Sequence, residues 1–270
     1  MIVKPKKHLG QHFLNDKTVC TRMTAALEGT GYEFKSVLEV GPGMGALTEP
    51  LLESKEFVTH VVEIDSESVV YLKANFPALG DRIYEKDFLH SDLTDIMGTD
   101  SFAVAGNFPY NISTQILFKV LENKDQIPLV VGMFQKEVAV RIAEPPGSKK
   151  YGITSVLLQA YYDIDYLFTV PPEVFTPPPK IDSGIIILKR NQTKKLDCDE
   201  GLFKRVVKMA FNQRRKTLRN SLKAMINEYD FPYQEYAELF ARRPESLSVQ
   251  EFVMLTNLFA NAEKTTNIEL

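Results

Sequence analysis

The chain has 270 residues, of which 44% are hydrophobic and 25% charged, a balance that is typical of globular domains and argues against disorder. It contains only two cysteines, far apart, which excludes a disulfide framework and the usual zinc-ligand spacings, so we expect no metal site. No apolar run approaches the roughly 20 residues needed to cross a bilayer. The first residues also lack the apolar stretch of a signal peptide, so we expect a cytoplasmic protein with no membrane partner.

Short apolar runs alternate with longer helix-compatible stretches through the first half of the chain. This alternation predicts an α/β fold with a mainly parallel, doubly wound sheet and helices on both faces. After Tyr151 a helix and two closely connected strands flank a proline-rich loop, which predicts an antiparallel edge. The predicted strands are 37–40, 58–64, 82–86, 102–106, 129–134, 164–170 and 183–189, and the later helix is 153–161.

The first predicted strand runs into a glycine-rich turn, Gly41-Pro-Gly-Met-Gly45. Glycine removes side chains that would keep a ligand away from the backbone. A helix that begins after such a turn offers unpaired N–H groups and the positive end of its dipole. The spacing matches neither the dinucleotide fingerprint nor the phosphate-binding loop. Gly41 and Gly43 are therefore candidate cofactor residues, and a turn that serves only packing is the alternative.

Acidic residues lie in or at the ends of the first three predicted strands. Glu63 ends the second strand, where α/β nucleotide sites place a carboxylate on ribose hydroxyls. Asp87 ends the third and could accept a hydrogen bond from an adenine amine, with Phe88 covering the ring. Glu39, inside the first strand, could orient the glycine turn or meet an ammonium group. Each could be a solvated strand end, but three in one crevice favour a site and predict S-adenosylmethionine as the cofactor.

The tetrapeptide Asn107-Phe108-Pro109-Tyr110 follows the fourth predicted strand and indicates the chemical class of the methyl acceptor. Pro109 restricts Phe108 to extended backbone, so carbonyl groups remain available as acceptors. The amide oxygen of Asn107 and the carbonyl of Phe108 or Pro109 could hold an exocyclic NH2 and aim its lone pair at the methyl group. Tyr110 could stack on the same base. A turn with two buried aromatic residues is the alternative.

Phe175 lies in the proline-rich loop 171–180. The prolines would stiffen this loop and reduce the entropy lost on binding, so Phe175 is a candidate second stacking face for a flipped base. The alternative is an aromatic residue packed into the core beneath the loop.

The polar, turn-rich segment 191–200 is the predicted linker between a catalytic domain at 1–190 and a small all-helical domain at 191–270. The net charge of −3 is unevenly spread, because 203–223 contains basic residues and no acidic one. Local charge therefore predicts a basic RNA-binding helix, in which Arg214, Arg215, Lys216 and Arg219 are the candidate RNA contacts; a solvated helix face is the alternative. The basic residues are Lys204, Arg205, Lys208, Arg214, Arg215, Lys216, Arg219 and Lys223.

Seven motifs together carry a family resemblance over nearly the whole chain. They are Gly10-Gln-His-Phe-Leu-Asn-Asp16, Glu39-Val-Gly-Pro-Gly-Met-Gly-Ala-Leu-Thr48, Glu63-Ile-Asp65, Asp87-Phe88, Asn107-Phe-Pro-Tyr-Asn-Ile-Ser-Thr114, Phe175-Thr-Pro-Pro-Pro-Lys180 and Phe211-Asn-Gln-Arg-Arg-Lys-Thr-Leu-Arg219. With these motifs the chain closely resembles the small-subunit ribosomal RNA adenine N6,N6-dimethyltransferases, the kasugamycin-resistance methyltransferases.

The resemblance implies a Rossmann-like class I methyltransferase fold. It further implies transfer of four methyl groups from S-adenosylmethionine to two adjacent adenosines near the 3′ end of 16S rRNA, within the immature small subunit, by a protein that we expect to be a monomer. Asn107, Tyr110 and Phe175 would handle the adenine. By matching motif, the cofactor ligands would be His12, Leu14, Gly41, Glu63, Asp87 and Asn107.

The sequence departs from the family at two site positions. Its members commonly carry Asn where this chain has His12, and Leu or Ile where it has Phe108. Histidine can still make one hydrogen bond, and Phe108 contributes its backbone in this role, although its ring could alter the pocket width.

Two other functions remain open. The related 23S rRNA adenine methyltransferases that confer macrolide resistance share the glycine turn and the Asn-x-Pro-Tyr block, but the segment 211–219 favours the small-subunit group. An assembly factor whose rRNA binding matters more than methylation would also use the basic segment.

Overall fold

The computed structural model describes residues 3–6, 9–230 and 232–264, which form two compact units. The first unit comprises the chain up to Val140 together with Tyr162–Asn191, and the second comprises Arg141–Tyr161 and the chain from Gln192 onward. The boundary predicted between residues 190 and 191 therefore needs one correction. Arg141–Tyr161, which the sequence placed in the first domain, belongs to the second unit.

The first unit is built on a seven-stranded sheet and a short two-stranded pair. Its strands are β1 Phe13–Leu14, β2 Ser36–Val40, β3 Val58–Glu63, β4 Ile83–Glu85, β5 Phe102–Asn107, β6 Leu129–Gln135, β7 Tyr162–Val170, β8 Phe175–Thr176 and β9 Ser183–Arg190. The large sheet has the order β4-β3-β2-β5-β6-β9-β7, and β1 pairs with β8. Neighbours from β4 to β6 are parallel, whereas β9 is antiparallel to both β6 and β7. The predicted parallel sheet with an antiparallel edge is confirmed.

The central strands are almost continuously apolar because both faces of a parallel sheet are covered. All seven residues of β6 except Gln135 are buried, and so are the first five residues of β5. The helices of this part of the chain are α1 Lys17–Ala25, α2 Thr48–Glu53, α3 Ser66–Asn75, α4 Thr94–Met97, α5 Ser113–Glu122 and α6 Lys136–Ala143. No helix in the described ranges is long and apolar enough to cross a membrane.

The sheet order fixes where a ligand can bind. The chain builds β3 and β4 on one side of β2, then crosses back to place β5 and β6 on the other side. Ligands of such sheets bind outside the carboxyl ends of the two strands at which this reversal occurs. Those strands are β2, which is followed by Gly41, and β5, which ends at Asn107.

The second unit is helical, with α7 Ile153–Gln159, α8 Glu200–Asn212, α9 Leu218–Ser221, α10 Lys223–Glu228, α11 Ala237–Ala241, α12 Val249–Ala260 and a two-residue pair, β10 Tyr229–Asp230 and β11 Glu263–Lys264. Phe211 of α8 packs with its ring centroid 5.9 Å from that of Phe252 on α12 and 6.3 Å from that of Tyr151. Tyr151 is fully buried just before α7. This aromatic cluster explains why the segment before Tyr162 folds with the C-terminal helices.

The prediction of one basic helix over 203–223 is wrong. Helix α8 ends at Asn212 and α9 begins at Leu218, with a turn between them that holds Arg214 and Arg215. The turn contains no hydrophobic residue that could hold an inner helix face, whereas Leu218 and Leu222 are fully buried beyond it. The basic residues are therefore divided among three helices, α8, α9 and α10, and the turn between the first two.

Candidate active site

A cavity of about 310 Å³ lies at the carboxyl ends of β2, β3 and β5, in the first unit. Its walls come from the ends of these strands, the turn after β2, the loop after β5 and the N-terminal segment around β1. Ten of the predicted site residues line this cavity: His12, Leu14, Glu39, Gly41, Gly43, Glu63, Asp87, Phe88, Asn107 and Tyr110.

The three glycines after β2 all adopt positive φ, at 70°, 55° and 80°, but they meet different surroundings. A Cβ on Gly41 would have no neighbour closer than Pro109 Cδ at 4.0 Å, so it would project into the cavity. A Cβ on Gly43 would lie 2.8 Å from Phe13 Cε1, and one on Gly45 only 2.3 Å from Phe76 Cε2. Only Gly41 therefore leaves room for a ligand, while the other two allow close packing of aromatic rings.

Glu63 holds the glycine turn against the end of β3. Its Oε2 accepts a hydrogen bond from the Gly43 N–H at 3.1 Å, and its Oε1 accepts one from the Asp65 N–H at 2.9 Å. Burial raises the pKa of this carboxyl group, because only 4% of the residue is exposed, and the two N–H donors oppose that rise. Each oxygen keeps a second lone pair that a ribose hydroxyl could use.

Glu39 is buried at the base of the cavity, with 2% of the residue exposed. Its Oε2 accepts a hydrogen bond from the Thr48 hydroxyl at 2.6 Å. Burial raises the pKa of Glu39 to about 8; the Thr48 hydrogen bond opposes the rise and nearby Glu63 adds to it. In the described part of the chain neither Glu39 nor Glu63 forms an ion pair, so the cavity suits a ligand that brings positive charge.

Asp87 lies in the turn after β4 and does not end that strand, which stops at Glu85. Its Oδ1 accepts the Leu89 N–H at 2.9 Å and its Oδ2 lies 2.7 Å from His90 Nδ1. Partial burial opposes ionisation, but these hydrogen bonds outweigh it and lower the pKa of Asp87. An ionised carboxylate next to buried Phe88 is suited to accept a base amine while the ring covers the base.

The N-terminal segment forms a wall of the cavity through contacts that the sequence did not reveal. Lys6 Nζ donates to Asp65 Oδ1 at 2.5 Å, and Gln11 Nε2 donates to Asp65 Oδ2 at 3.3 Å. Asp65 also caps α3 by accepting the Glu67 N–H. An Asp immediately before a helix is a readable cap signal, but its ion pair with a residue 59 positions away has no local signature.

Asn107 is oriented by the backbone of this wall. Its Nδ2 donates to the His12 carbonyl at 2.8 Å, which leaves Oδ1 as the acceptor that the amide can offer to a ligand. The Pro109 carbonyl already accepts the Ile112 N–H at 3.1 Å, and no donor among the described residues bonds the Phe108 carbonyl. Of the two carbonyls predicted to share the amine, the structure therefore favours that of Phe108.

The aromatic residues of the loop after β5 take different roles. The hydroxyl of Tyr110 is 2.6 Å from Ser183 Oγ, and its ring stacks on His12 with centroids 5.5 Å apart. Phe108 is buried, with its ring 5.2 Å from that of Phe134. A Cβ at Gly132 would lie 2.3 Å from the Phe108 ring. The large side chain at position 108 is thus accommodated within the core, above a residue without a side chain.

Phe175 does not line this cavity, and its predicted stacking role stays a prediction. Its side chain is 3% exposed and packs in the main hydrophobic core. The cause is the pairing of β8 with β1, which sets Phe175 opposite Leu14 and anchors both residues in that core. The alternative interpretation, an aromatic residue beneath the loop, describes its place.

The four predicted RNA contacts lie in the second unit and are exposed. Arg214, Arg215 and Lys216 occupy the turn between α8 and α9, and Arg219 lies on α9. Arg214 donates to the Lys149 carbonyl. Their contact with RNA stays a prediction.

The chain matches the family described as ribosomal RNA adenine dimethylase over residues 2–238. It is similar to the ribosomal RNA small subunit methyltransferase A of Cytophaga hutchinsonii, with 58% identity over 258 residues that cover 96% of this chain and 98% of the relative. The protein of the same name from Bacteroides thetaiotaomicron is 55% identical over 264 residues, which cover 98% of this chain and 97% of that relative.

Two solved structures share the fold. A dimethyladenosine transferase from Plasmodium falciparum is similar with a TM-score of 0.77 and 22% identity, covering 93% of this chain and 99% of that one. The 23S rRNA methyltransferase ErmE has a TM-score of 0.66 and 22% identity, covering 91% and 99%. These likenesses confirm the predicted Rossmann-like class I methyltransferase fold with helices at the C-terminus.

Proposed function

Because the chain belongs to the ribosomal RNA adenine dimethylase family, we propose that it dimethylates the N6 amine of two adjacent adenosines near the 3′ end of 16S rRNA, with S-adenosylmethionine as the methyl donor. The observation that carries this proposal is that the glycine turn, the two buried carboxyl groups of Glu39 and Glu63, and the Asn107–Tyr110 loop all line one cavity. It unites a site for a cationic nucleoside with acceptors for a base amine. We expect a cytoplasmic monomer that acts on the immature small subunit.

The cavity residues fit this cofactor group by group. Glu63 offers its remaining lone pairs to the ribose hydroxyls, and Asp87 accepts the adenine amine beside the Phe88 ring. Gly41 lets the ligand approach the backbone, and His12 and Leu14 line the same cavity. When bound, S-adenosylmethionine supplies a methyl group on a positively charged sulfur, which the buried carboxylates favour.

Methyl transfer needs no general base to remove a proton from the amine beforehand. The protein therefore has only to hold the target adenine through hydrogen-bond acceptors. Asn107 Oδ1 and the Phe108 carbonyl each accept one N–H of the exocyclic amine, which turns the nitrogen lone pair toward the methyl group. Tyr110 stacks on the base and holds it out of the RNA. The amine becomes cationic as it gains the methyl group, and its proton then leaves to solvent. The protein's contribution is alignment and placement of charge.

The decisive test supplies labelled S-adenosylmethionine to immature small and large ribosomal subunits. Methyl incorporation into 16S rRNA, identified by mass spectrometry as N6,N6-dimethyladenosine, is expected. Incorporation into 23S rRNA instead would replace this function by the 23S alternative.

Asn107→Ala should abolish methyl transfer while its circular dichroism spectrum and thermal midpoint stay close to those of the wild type. The amide is half-buried at a strand end, and its one observed hydrogen bond joins the His12 carbonyl. Near-wild-type dimethylation by this variant would contradict the proposed hydrogen bond between the adenine amine and Asn107.

An assembly factor whose rRNA binding matters more than methylation is the second candidate, favoured by the exposed basic turn. Replacing Arg214, Arg215 and Arg219 by Glu should weaken subunit binding and reduce its salt dependence, because each phosphate contact releases a counterion. A subunit affinity that changes neither with salt concentration nor with these substitutions would contradict an RNA-binding role for the turn. If Asn107→Ala lost all transfer but still supported subunit assembly in cells, the assembly role would be the dominant one.

A further inference from the structure

Two lysines of the second unit lie beside the basic turn, residues 213–217, although they come much earlier in the chain. The Arg214 guanidinium donates a hydrogen bond to the Lys149 carbonyl, across 65 positions of sequence. Lys149 and the next residue, Lys150, are both exposed. They belong to the lysine loop, residues 147–150, which lies between α6 and α7. The charge pattern of 203–223 could not reveal them, because only the fold brings this loop to the turn.

The lysine loop is held in place by backbone contacts, which leave its two ammonium groups free. The Gly147 N–H donates to the Glu245 carbonyl at 2.7 Å, and the Tyr151 N–H donates to the Ser148 carbonyl at 3.2 Å. The Lys150 N–H donates to Ser148 Oγ at 3.1 Å. Tyr151 is fully buried at the end of the loop and packs its ring on that of Phe211, just before the basic turn. The loop is therefore fixed beside the turn without the help of either lysine side chain.

The positive charges of the lysine loop, the basic turn and α9 are not neutralised within the described part of the chain. The side chains that form no ion pair there are Lys149, Lys150, Arg214, Arg215, Lys216 and Arg219. Two acidic residues lie nearby, but Oε2 of Glu245 is buried and Glu251 is bound by Arg242. Exposed cations without carboxylate partners create a positive potential that attracts anions.

We propose that the lysine loop and the basic turn form one binding surface for the phosphate backbone of RNA, in which Lys149 and Lys150 contact phosphates next to those held by Arg214 and Arg215. This inference rests on the proposed function and adds contacts for its RNA substrate. Neither segment contains a hydrophobic residue, whereas protein interfaces are centred on aromatic and apolar anchors. Arginine can hold a phosphate through two N–H groups, and lysine adds a point charge. Such contacts position the RNA without reading its sequence.

The salt dependence of RNA binding measures how many phosphates the two lysines contact. Each contact adds about 0.7 for single strands, or about 0.9 for a duplex, to the slope of log affinity against log salt concentration. The double variant Lys149→Gln/Lys150→Gln should therefore lower the slope by about 1.4–1.8. The affinity lost between about 50 and 200 mM salt should then be about tenfold smaller than in the wild type. Fluorescence anisotropy with a labelled RNA from the 3′ end of 16S rRNA measures both quantities.

The matched control is Lys194→Gln/Lys195→Gln. It removes the same charge from two adjacent, exposed lysines of the same unit, in a segment that also holds Asp197 and Asp199. The control should keep the slope of the wild type, because its lysines lie among acidic residues. Both double variants should keep the thermal midpoint of the wild type, because each changes only exposed side chains that form no ion pair within the described ranges.

Equal slopes for the wild type and Lys149→Gln/Lys150→Gln would overturn the inference. An equal decrease in the Lys194→Gln/Lys195→Gln control would also overturn it, because net charge alone would then explain the effect. A loss of affinity for the immature small subunit without any loss for the isolated RNA would assign the lysines to a ribosomal protein instead. A wild-type protein that binds this RNA but adds no methyl group to 16S rRNA would reject the proposed function, so the two failures are distinguishable.

Discussion

Gly41→Ala should separate ligand binding from stability, because Gly41 is the only glycine of the turn whose missing side chain faces open space. The residue has φ of 70°, so an alanine there costs about 1–2 kcal/mol of unfolding free energy from backbone strain. No atom lies closer than 4.0 Å to the added Cβ, so packing adds nothing further. The methyl group would instead occupy the cavity where the cofactor must approach the backbone.

Gly45→Ala is the matched control on the same turn. Its φ of 80° imposes a similar backbone strain, but its Cβ would lie 2.3 Å from the Phe76 ring. Overpacking of this kind adds about 1–3 kcal/mol, so the total loss should reach about 2–5 kcal/mol. The control should therefore be markedly less stable than Gly41→Ala.

Urea denaturation gives the unfolding free energies, and calorimetry with S-adenosylhomocysteine gives the affinities. We expect Gly41→Ala to keep most of its unfolding free energy and to lose at least tenfold in ligand affinity. Gly45→Ala should show the larger loss of unfolding free energy. Wild-type affinity in Gly41→Ala would refute the argument that the ligand lies against this backbone. Equal destabilisation of both variants would refute the argument from packing.

Three further predictions test other parts of the molecule. Phe175→Ala should lower the unfolding free energy by about 3–5 kcal/mol in urea, and an unchanged stability would contradict its core position. Tyr110→Ala should raise KM for rRNA, since base stacking contributes about 1–3 kcal/mol, whereas Tyr110→Phe keeps the ring, loses only the Ser183 hydrogen bond, and should stay within a few-fold of the wild type. The Arg242 hydrogen bond lowers the pKa of Glu251. The ionised Glu251 should therefore stabilise the fold fully above the unfolded-state pKa of about 4.3, and this stabilisation should disappear as pH falls through the lower folded-state value. A difference in thermal midpoint between wild type and Glu251→Gln that is the same at pH 7 and pH 3 would contradict this.

The sequence could predict most of the cavity because its residues sit at fixed places in a repeating pattern. Gly41, Glu63 and Asn107 each follow or end an apolar strand, and the carboxyl ends of parallel strands meet at one edge. Their proximity therefore needed no knowledge of side-chain packing. The sequence placed Asp87 at the end of its strand, whereas the strand ends two residues earlier, at Glu85. Asp87 nevertheless lines the same cavity.

The sequence was least informative where long-range packing decides the structure. Phe175 is buried because β8 pairs with β1, more than 160 residues earlier in the chain, and no local pattern reports that pairing. The break at Gln213–Thr217 was hidden because Phe211 and Leu218 keep helical spacing across it. The segment around Tyr151 belongs to the second unit because the Tyr151 ring contacts Phe211, a residue far along the chain.

The long-range contacts of the N-terminal segment also set the order in which the site can be completed during synthesis. His12 Nδ1 lies 2.8 Å from the Pro177 carbonyl, and Asn15 Nδ2 donates to Thr176 Oγ1 at 2.8 Å. The segment is translated before its partners, which follow more than 160 residues later in the sequence. During translation the glycine turn and the first strands can form early, but this wall must wait until residue 177 has emerged. A nascent chain released before that point would lack the backbone contact that fixes His12.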